Sequence, residues 1–196
     1  IVLVTVSGEL RFVIGVSDEI RPEAKKALMK LRKMGIKRFV MLTGDNQITA
    51  QGVATQLGID EVKAELLPAD KVKEVQKLKD TGHIVAFVGD GINDSPSIAL
   101  ADIGIAMGSG TDVAVETSDI VLMRSSFDEL VHAFGLTRAT IFNMRQNIGI
   151  SLATVGLLFV GLFAGFIYMA SGMFVHEASI LFVILNGLRL MKFRVK

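Results

Sequence analysis

Residues 148–170 carry no charged side chain, and this stretch limits the possible folds more than any other feature. About 20 consecutive apolar residues are enough for a helix to cross a bilayer. A buried helix of a soluble protein is the alternative, but the uncharged stretch is too long for one. We predict a transmembrane helix over residues 148–170, a tight connection at Ser171-Gly172 and a returning span over Met173–Leu190. Gly161 and Gly165 have the spacing that lets membrane helices pack closely.

Basic residues flank both predicted spans at the same end of the hairpin. Arg138 and Arg145 precede the first span, and Arg189 and Lys192 end or follow the second. Positive flanks face the cytoplasm, so we expect the preceding part of the chain and the carboxyl terminus to be cytoplasmic. The net charge of +1 gives no basic field that would attract nucleic acid, and no nucleic-acid partner is expected.

Strands alternate with helices over residues 1–125, a pattern typical of a doubly wound α/β sheet. The apolar run Ile84–Val88 is predicted as a parallel strand buried on both faces. Gly89-Asp90-Gly91 then turns the chain, and Asp94 and Ser95 are predicted to cap the next helix. Asp90 and Asp94 therefore lie at the carboxyl edge of the sheet, where two carboxylates suit Mg²⁺. A plain turn with capping residues is the alternative.

A second strand–loop–helix unit repeats this geometry. The predicted strand Ile36–Leu42 leads into Thr43-Gly44-Asp45, and the helix Gln47–Leu57 follows. Taken alone, the loop is a turn with a helix cap. Lys71 lies near the start of another predicted helix, among lysines that would ordinarily only face solvent.

Both units resemble P-type ATPases, a branch of the haloacid dehalogenase-like phosphotransferases. Residues 89–94 match the family's GDGxND hinge motif, residues 101–114 continue the match, and residues 43–45 match its TGD loop. The resemblance implies that ATP is the substrate and that Asp90 and Asp94 bind Mg²⁺. It also implies catalytic roles for the phosphoryl-contacting loop and its partners, namely Thr43, Gly44, Asp45, Lys71 and Asn93.

The family's phosphorylated aspartate lies in an Asp-Lys-Thr-Gly-Thr motif, which this sequence lacks, because Asp70-Lys71 continues as Val72. We therefore expect the nucleophile and further domains of the same polypeptide upstream of Ile1, and no ATP hydrolysis by this stretch alone. The predicted division is a phosphorylation domain at 1–125, a stalk helix at 126–147, a transmembrane hairpin at 148–190 and a cytoplasmic tail at 191–196.

His176 and Glu177 lie within the second predicted span. Ionisable groups inside a membrane usually mark an ion pathway, and imidazole with carboxylate suits Zn²⁺ or Co²⁺. An interfacial position beside the loop is the alternative. The stretch resembles the last helix of the heavy-metal branch of the family, although Leu152–Gly156 lacks the lysine typical of its zinc/cadmium/lead group. Whether Ser179 joins the site is left open.

The resemblance implies the carboxyl-terminal part of an ATP-driven exporter of Zn²⁺, Cd²⁺ or Co²⁺ in the cell membrane, working through an aspartyl-phosphate. A membrane-anchored phosphatase of the same superfamily is the alternative, but it would need a nucleophile of its own. A non-catalytic membrane scaffold is a further alternative. A scaffold would not need Thr43, Lys71, Asp90 and Asp94 in these positions.

Overall fold

A computed structural model describes residues 2–6, 8–14, 19–90, 93–108 and 116–193 of the chain. The elements along these residues alternate between strands and helices before two long helices end the chain. In order they are β1 (Val2–Val6), β2 (Glu9–Ile14), α1 (Ala24–Lys33), β3 (Val40–Leu42), α2 (Gln47–Leu57), β4 (Glu61–Lys63), α3 (Pro68–Asp80), β5 (Ala86–Gly89), α4 (Ser95–Leu100), β6 (Ile103–Met107), β7 (Ile120–Leu122), α5 (Phe127–Phe163) and α6 (Met169–Leu188), with a 3₁₀ turn at Arg189–Lys192.

The strands confirm the predicted α/β class. β1 and β2 form an antiparallel hairpin, whereas β3 pairs with β4 and β5–β6–β7 pair in that order, all in parallel. Parallel neighbours need crossover connections; α2 connects β3 to β4, and α4 connects β5 to β6. The helix predicted after Gly110 falls largely outside the described residues.

One strand prediction is wrong in its burial. The strand expected from Ile84 begins at Ala86, and the Ile84 side chain is 85% exposed. Among the described residues β5 is the outer strand of its sheet, with β6 on one side only. An apolar run is buried on both faces only where helices and neighbouring strands cover it, and the start of this run has no such cover.

The core of the α/β part includes the beginning of α5. Ala27 and Leu31 of α1 pack in one cluster with strand residues Ile105 and Leu122 and with Leu130 and Val131 of α5. Arg138, further along α5, donates a hydrogen bond from Nη1 to the Met34 carbonyl just after α1. The beginning of α5 is therefore packed into the α/β core, and the rest of the helix extends out of that core.

The helix termini largely follow the sequence. Asn46 accepts a hydrogen bond from Thr49 N at 2.9 Å at the start of α2, and Gly58 ends that helix at φ 73°. Ser126 Oγ accepts from Asp128 N at 3.2 Å at the start of α5, as expected for a cap.

The hairpin connection differs from the prediction. α5 ends at Phe163 and α6 begins at Met169, so Ser171-Gly172 lies inside α6. Gly165 adopts φ 75°, which favours glycine, and the amides of Phe166 and Ile167 both donate to the Gly161 carbonyl. Ser171 Oγ accepts from the amide of Tyr168, so the serine caps the second helix and does not link the two.

Gly161 and Gly165 therefore shape the turn. An added Cβ on Gly161 would lie 2.3 Å from Ile167 Cδ1, so the glycine makes room for the returning chain. The predicted role of this pair in close packing along two membrane helices is wrong, because Gly165 lies beyond the end of α5.

Two helices of the described chain are long and apolar enough to cross a membrane by length and composition, and their most apolar windows are not buried within the protein. That second observation argues against core helices of a soluble protein. The 37 residues of α5 extend about 55 Å, well beyond the ~30 Å hydrocarbon thickness, and leave room for a stalk. The stalk boundary at residue 147 stays a prediction.

Candidate active site

The loop after β3 is held in a defined shape by its own side chains. Thr43 Oγ1 donates to Asp45 Oδ2 at 2.9 Å and accepts from the Asp45 amide at 3.1 Å. The Thr43 amide donates to the Lys63 carbonyl and its carbonyl accepts from the Leu66 amide, each at 3.0 Å. This loop is thereby fixed against the segment that leads from β4 into α3.

Protein packing does not demand the glycine in this loop. A Cβ on Gly44 would lie 3.5 Å from the Leu66 carbonyl oxygen, an ordinary contact, and Gly44 has no positive φ. Gly44 and Asp45 are both exposed. The loop thus presents open backbone at the carboxyl end of a strand, where α/β sheets bind ligands.

Lys71 and Asp94 form an ion pair between α3 and the start of α4. Lys71 Nζ lies 2.8 Å from Asp94 Oδ1, with the two side chains 17% and 14% exposed. Asp94 occupies the cap position of α4, yet its carboxylate makes no capping hydrogen bond. The predicted capping role of its side chain is wrong, because the nearby ammonium group is the stronger partner of a carboxylate.

Gly89 allows Asp94 to reach this position. A Cβ on Gly89 would lie 2.7 Å from Asp94 Cβ and 2.8 Å from its Oδ2, distances that real side chains do not tolerate. The glycine at the end of β5 therefore lets the aspartate fold back against the strand. Gly91, the other glycine of the motif, lies outside the described residues.

Asp90 and Asn93, which precede Asp94 in the chain, are both exposed. Asp90 follows β5 directly, and within the described residues its carboxylate has no hydrogen bond or ion pair. An unpaired carboxylate, with the Oδ2 atom of Asp94 on the same loop, is the hard-oxygen donor set that Mg²⁺ prefers. The described residues therefore fit the ion, and Mg²⁺ usually completes its shell with water and phosphate oxygens.

A series of contacts links the loop after β3 to the loop after β5. Thr43 is bonded to Leu66, α3 begins two residues later at Pro68, and Lys71 in its first turns reaches Asp94. Thr43, Lys71 and Asp94 are therefore linked by one series of contacts, and Asp90 and Asn93 both precede Asp94 in sequence.

Asp102 connects the segments that lead into β5 and β6. Asp102 Oδ2 accepts from the Val85 amide at 2.8 Å, and Lys79 Nζ lies 3.2 Å from its Oδ1. The hydrogen bond from Val85 and then the Lys79 ammonium hold the pKa of Asp102 below its ordinary value. This carboxylate links α3, the entry to β5 and the entry to β6.

His176 and Glu177 lie near the middle of α6, about 11–12 Å along the helix from Met169. Both side chains are exposed, and Ser179 Oγ donates to the His176 carbonyl at 2.8 Å. Because the connection precedes Met169, these residues are further from the loop than the sequence suggested. No cluster of three or more His, Cys, Asp or Glu occurs in the described part of the chain.

A set of amide side chains joins α5 to α6, and sequence reasoning assigned it no role. It consists of Asn143 and Asn147 on α5 and Asn186 on α6. The sequence did contain a signal for this set. Two asparagines one turn apart beside an apolar stretch need hydrogen-bond partners, and Asn186 interrupts another apolar helix.

The chain belongs to the haloacid dehalogenase-like hydrolase family, whose model matches residues 1–102. Within that family, its relatives are heavy-metal P-type ATPases. It is 46% identical to the "Zinc-transporting ATPase" of Bacillus subtilis (strain 168), covering 98% of this chain and 30% of the relative. It is also 46% identical to the "Manganese-exporting P-type ATPase" of Mycobacterium tuberculosis (strain ATCC 25618 / H37Rv), covering 98% of this chain and 27% of the relative.

A solved structure agrees with these relatives. The crystal structure of a zinc-transporting PIB-type ATPase in its E2.Pi state superposes with a TM-score of 0.86 at 42% identity, covering 97% of this chain and 31% of that chain. The predicted resemblance to the carboxyl-terminal portion of such ATPases is confirmed. The chain spans less than a third of the length of these relatives.

Proposed function

We propose that this chain is the carboxyl-terminal part of an ATP-driven exporter of divalent heavy-metal cations. The observation that carries the proposal is α5, which contributes Leu130 and Val131 to the α/β core and continues as a helix apolar enough to span a membrane. One rigid element thus links a phosphate-type site to a membrane segment. A phosphatase that only needs an anchor has no use for such a continuous link.

At the α/β site, Asp90 would hold Mg²⁺ directly and Asp94 would help to hold it, both through carboxylate oxygens. The ion supplies positive charge that offsets the phosphoryl oxygens when it is bound. Gly44 leaves room for the phosphoryl group, while Thr43 and Asn93 donate hydrogen bonds to its oxygens. The Thr43 hydroxyl has one proton, which it donates to Asp45 Oδ2 at 2.9 Å before a ligand arrives, so it turns from Asp45 to the phosphoryl oxygens when that group binds.

Lys71 has two partners in this proposal. Before a phosphoryl group arrives, its ammonium group neutralises Asp94 at 2.8 Å. A phosphoryl group draws the ammonium group toward its own oxygens, which frees Asp94 Oδ1. Mg²⁺ at Asp90 and Asp94 would then supply the cation beside the Asp94 carboxylate, which the lysine has left.

In the membrane, His176 and Glu177 bind the transported cation. Their position near the middle of α6 supports this role, because an ionisable pair there is costly unless it has a function. Helices beyond this chain complete the shell. The cargo is Zn²⁺, Cd²⁺ or Co²⁺, and Mn²⁺ joins the candidates because one relative is named as a manganese exporter.

We propose that the protein lies in the cell membrane, with the α/β part and the carboxyl terminus on the cytoplasmic side. Basic residues at one end of the hairpin support this orientation, with Arg138 and Arg145 on α5 and Arg189 and Lys192 after α6.

The test uses the complete polypeptide in inverted membrane vesicles. ATP with Mg²⁺ should drive accumulation of Zn²⁺, Cd²⁺, Co²⁺ or Mn²⁺, and Asp90→Asn vesicles should accumulate none. The phosphatase alternative predicts the reverse: residues 1–196 alone would hydrolyse phosphate monoesters, and vesicles of the complete polypeptide would take up no metal. Absence of ATP-dependent uptake of all four metals would overturn the exporter proposal.

A further inference from the structure

The two membrane helices are joined by a closed set of amide hydrogen bonds, here called the asparagine clamp (Asn143, Asn147 and Asn186). Asn143 Nδ2 donates to the Asn186 backbone carbonyl at 2.9 Å, and Asn147 Nδ2 donates to Asn143 Oδ1 at 3.1 Å. Asn186 Nδ2 donates to Asn147 Oδ1 at 2.8 Å. Arg189 Nη1 adds a bond to Asn186 Oδ1 at 3.0 Å.

This arrangement fixes the register of the helices, whereas apolar packing alone would permit sliding. Asn143 is 8% exposed and bonds to a backbone carbonyl, whose position along α6 is set by the helix itself. A slide of one residue moves that carbonyl about 1.5 Å and breaks the bonds together. Buried polar contacts of this kind are best known for specifying register.

The clamp lies between the α/β core and the candidate transport residues. On one side, α5 is anchored through Leu130 and Val131. On the other side, Asn186 is nine residues from Glu177, about 13–14 Å along α6 and about half a turn away around its axis. Glu177 therefore faces away from α5, toward space that is open in this chain. Further helices can meet Glu177 in a defined position only if the position of α6 is itself fixed.

We propose that Asn143, Asn147 and Asn186 are positioning residues that make α5 and α6 move as one body. A displacement of the α/β part then reaches His176 and Glu177 through the clamp, and not through the loop at residues 164–168. This inference rests on the proposed function for its consequence, but the rigid-body behaviour itself can be measured without transport.

The first test measures that behaviour directly. Spin labels are introduced as unnatural amino acids at Leu157 of α5 and Leu181 of α6, which are 70% and 62% exposed, in the complete polypeptide. The inter-label distance distribution should be the same in the ligand-free protein and with Mg²⁺ and a fluoride phosphate analogue. A distance that changes between these two states overturns the inference, whatever the protein transports.

The second test removes the hydrogen bonds while keeping side-chain size. Asn147→Leu and Asn186→Leu, singly and together, are compared with Thr140→Val, an exposed position on α5 that is not part of the clamp. We expect Zn²⁺ bound per protein and phosphorylation by inorganic phosphate without Zn²⁺ to stay within twofold of wild type. Stimulation of ATP hydrolysis by Zn²⁺ should fall at least fivefold, and the double variant should be no worse than either single one.

The outcomes separate the two proposals. If wild type shows no metal-stimulated ATP hydrolysis, the exporter proposal fails, while the label distances still decide the clamp. The clamp has no positioning role if the leucine variants keep full stimulation of ATP hydrolysis by Zn²⁺. It also has none if they lose Zn²⁺ binding and phosphorylation to the same extent as they lose that stimulation. Where a leucine variant does not fold, the spin-label measurement on the wild-type background still overturns the inference if the distance changes.

Discussion

Lys71 Nζ lies 2.8 Å from Asp94 Oδ1, so the cation of α3 already neutralises the carboxylate that precedes α4. The two groups come from segments separated by 23 positions, and the ion pair closes the site between them. Gly89 makes this contact possible, since any side chain there would collide with Asp94. Because this ion pair is mostly shielded from water, the stability of the α/β part and the proposed chemistry of the site depend on the same two residues.

Replacing Lys71 by methionine should therefore affect both stability and activity. The change keeps most of the apolar stem but leaves Asp94 without its partner. Breaking a buried pair costs 3–5 kcal/mol, so a loss of about 1–3 kcal/mol is expected for these partly exposed groups. Chemical denaturation of the complete polypeptide checks the loss, and phosphoenzyme formed from ATP should fall at least tenfold.

The matched control for this prediction is Lys73→Met. Lys73 also pairs with an aspartate at 2.8 Å, but its side chain is 69% exposed and the pair lies within one helix. It should change stability by less than about 1 kcal/mol, as surface pairs do, and leave phosphoenzyme unchanged. Equal effects of the two substitutions would show that Lys71 has no special place in the site.

Asp90→Asn should abolish phosphoenzyme formation from ATP in the complete polypeptide. The change removes one charge from the proposed direct Mg²⁺ ligand and should weaken both Mg²⁺ binding and charge neutralisation. Stability should hardly change, because the Asp90 carboxylate is exposed and within the described residues has no partner. Wild-type phosphoenzyme with an unaltered Mg²⁺ dependence would refute the assignment.

Asp94→Asn should reduce phosphoenzyme less severely but destabilise the protein, because it breaks the pair with Lys71. The two substitutions should thus differ in a measurable way. Asp90→Asn should lower activity without changing stability, whereas Asp94→Asn should lower both. Denaturation and phosphoenzyme assays on the same preparations separate the two cases.

The Asp102 carboxylate should make the α/β part sensitive to acid. Its pKa is held below the ordinary aspartate value by the Val85 amide and then by Lys79, so the folded state favours the charged form. Its contribution is complete above the ordinary aspartate pKa and is lost as pH falls through the lowered value. Asp102→Asn should flatten the stability profile in that acidic range, as measured by denaturation between pH 3 and 7. An unchanged profile would mean that other carboxylates control acid unfolding.

Much of this architecture follows from local sequence signals. The strand–helix alternation, the Gly58 cap, the Ser126 cap and the two apolar helices each depend on neighbouring residues only. The candidate Mg²⁺ loop was equally visible, since Gly89 through Asp94 form one contiguous motif.

What the sequence could not provide were contacts between distant segments. The Lys71–Asp94 pair and the asparagine clamp join residues 23 and about 40 positions apart, and neither spacing has a periodic signature. The hairpin turn was misplaced for a different reason. Gly165 and Ser171 both suit a turn, and the earlier one is stabilised by contacts of residues 166 and 167 with Gly161.

His176→Ala and Glu177→Ala should each reduce bound metal and metal-stimulated ATP hydrolysis in the complete polypeptide. Adjacent residues on a helix lie about 100° apart, so the pair can share one ion only where other helices close the cavity around α6. In the proposed site, imidazole and carboxylate would each supply part of that shell, so loss of either should lower bound Zn²⁺ at least several-fold. Phosphorylation by inorganic phosphate without metal should stay near normal, because the α/β site is untouched.

Ser179→Ala is the matched control. The Ser179 hydroxyl already donates to the His176 carbonyl, so its removal should change Zn²⁺ binding little. Full binding and full stimulation in both the His176 and the Glu177 variants would make these residues structural, and the cargo site would have to be sought on other helices.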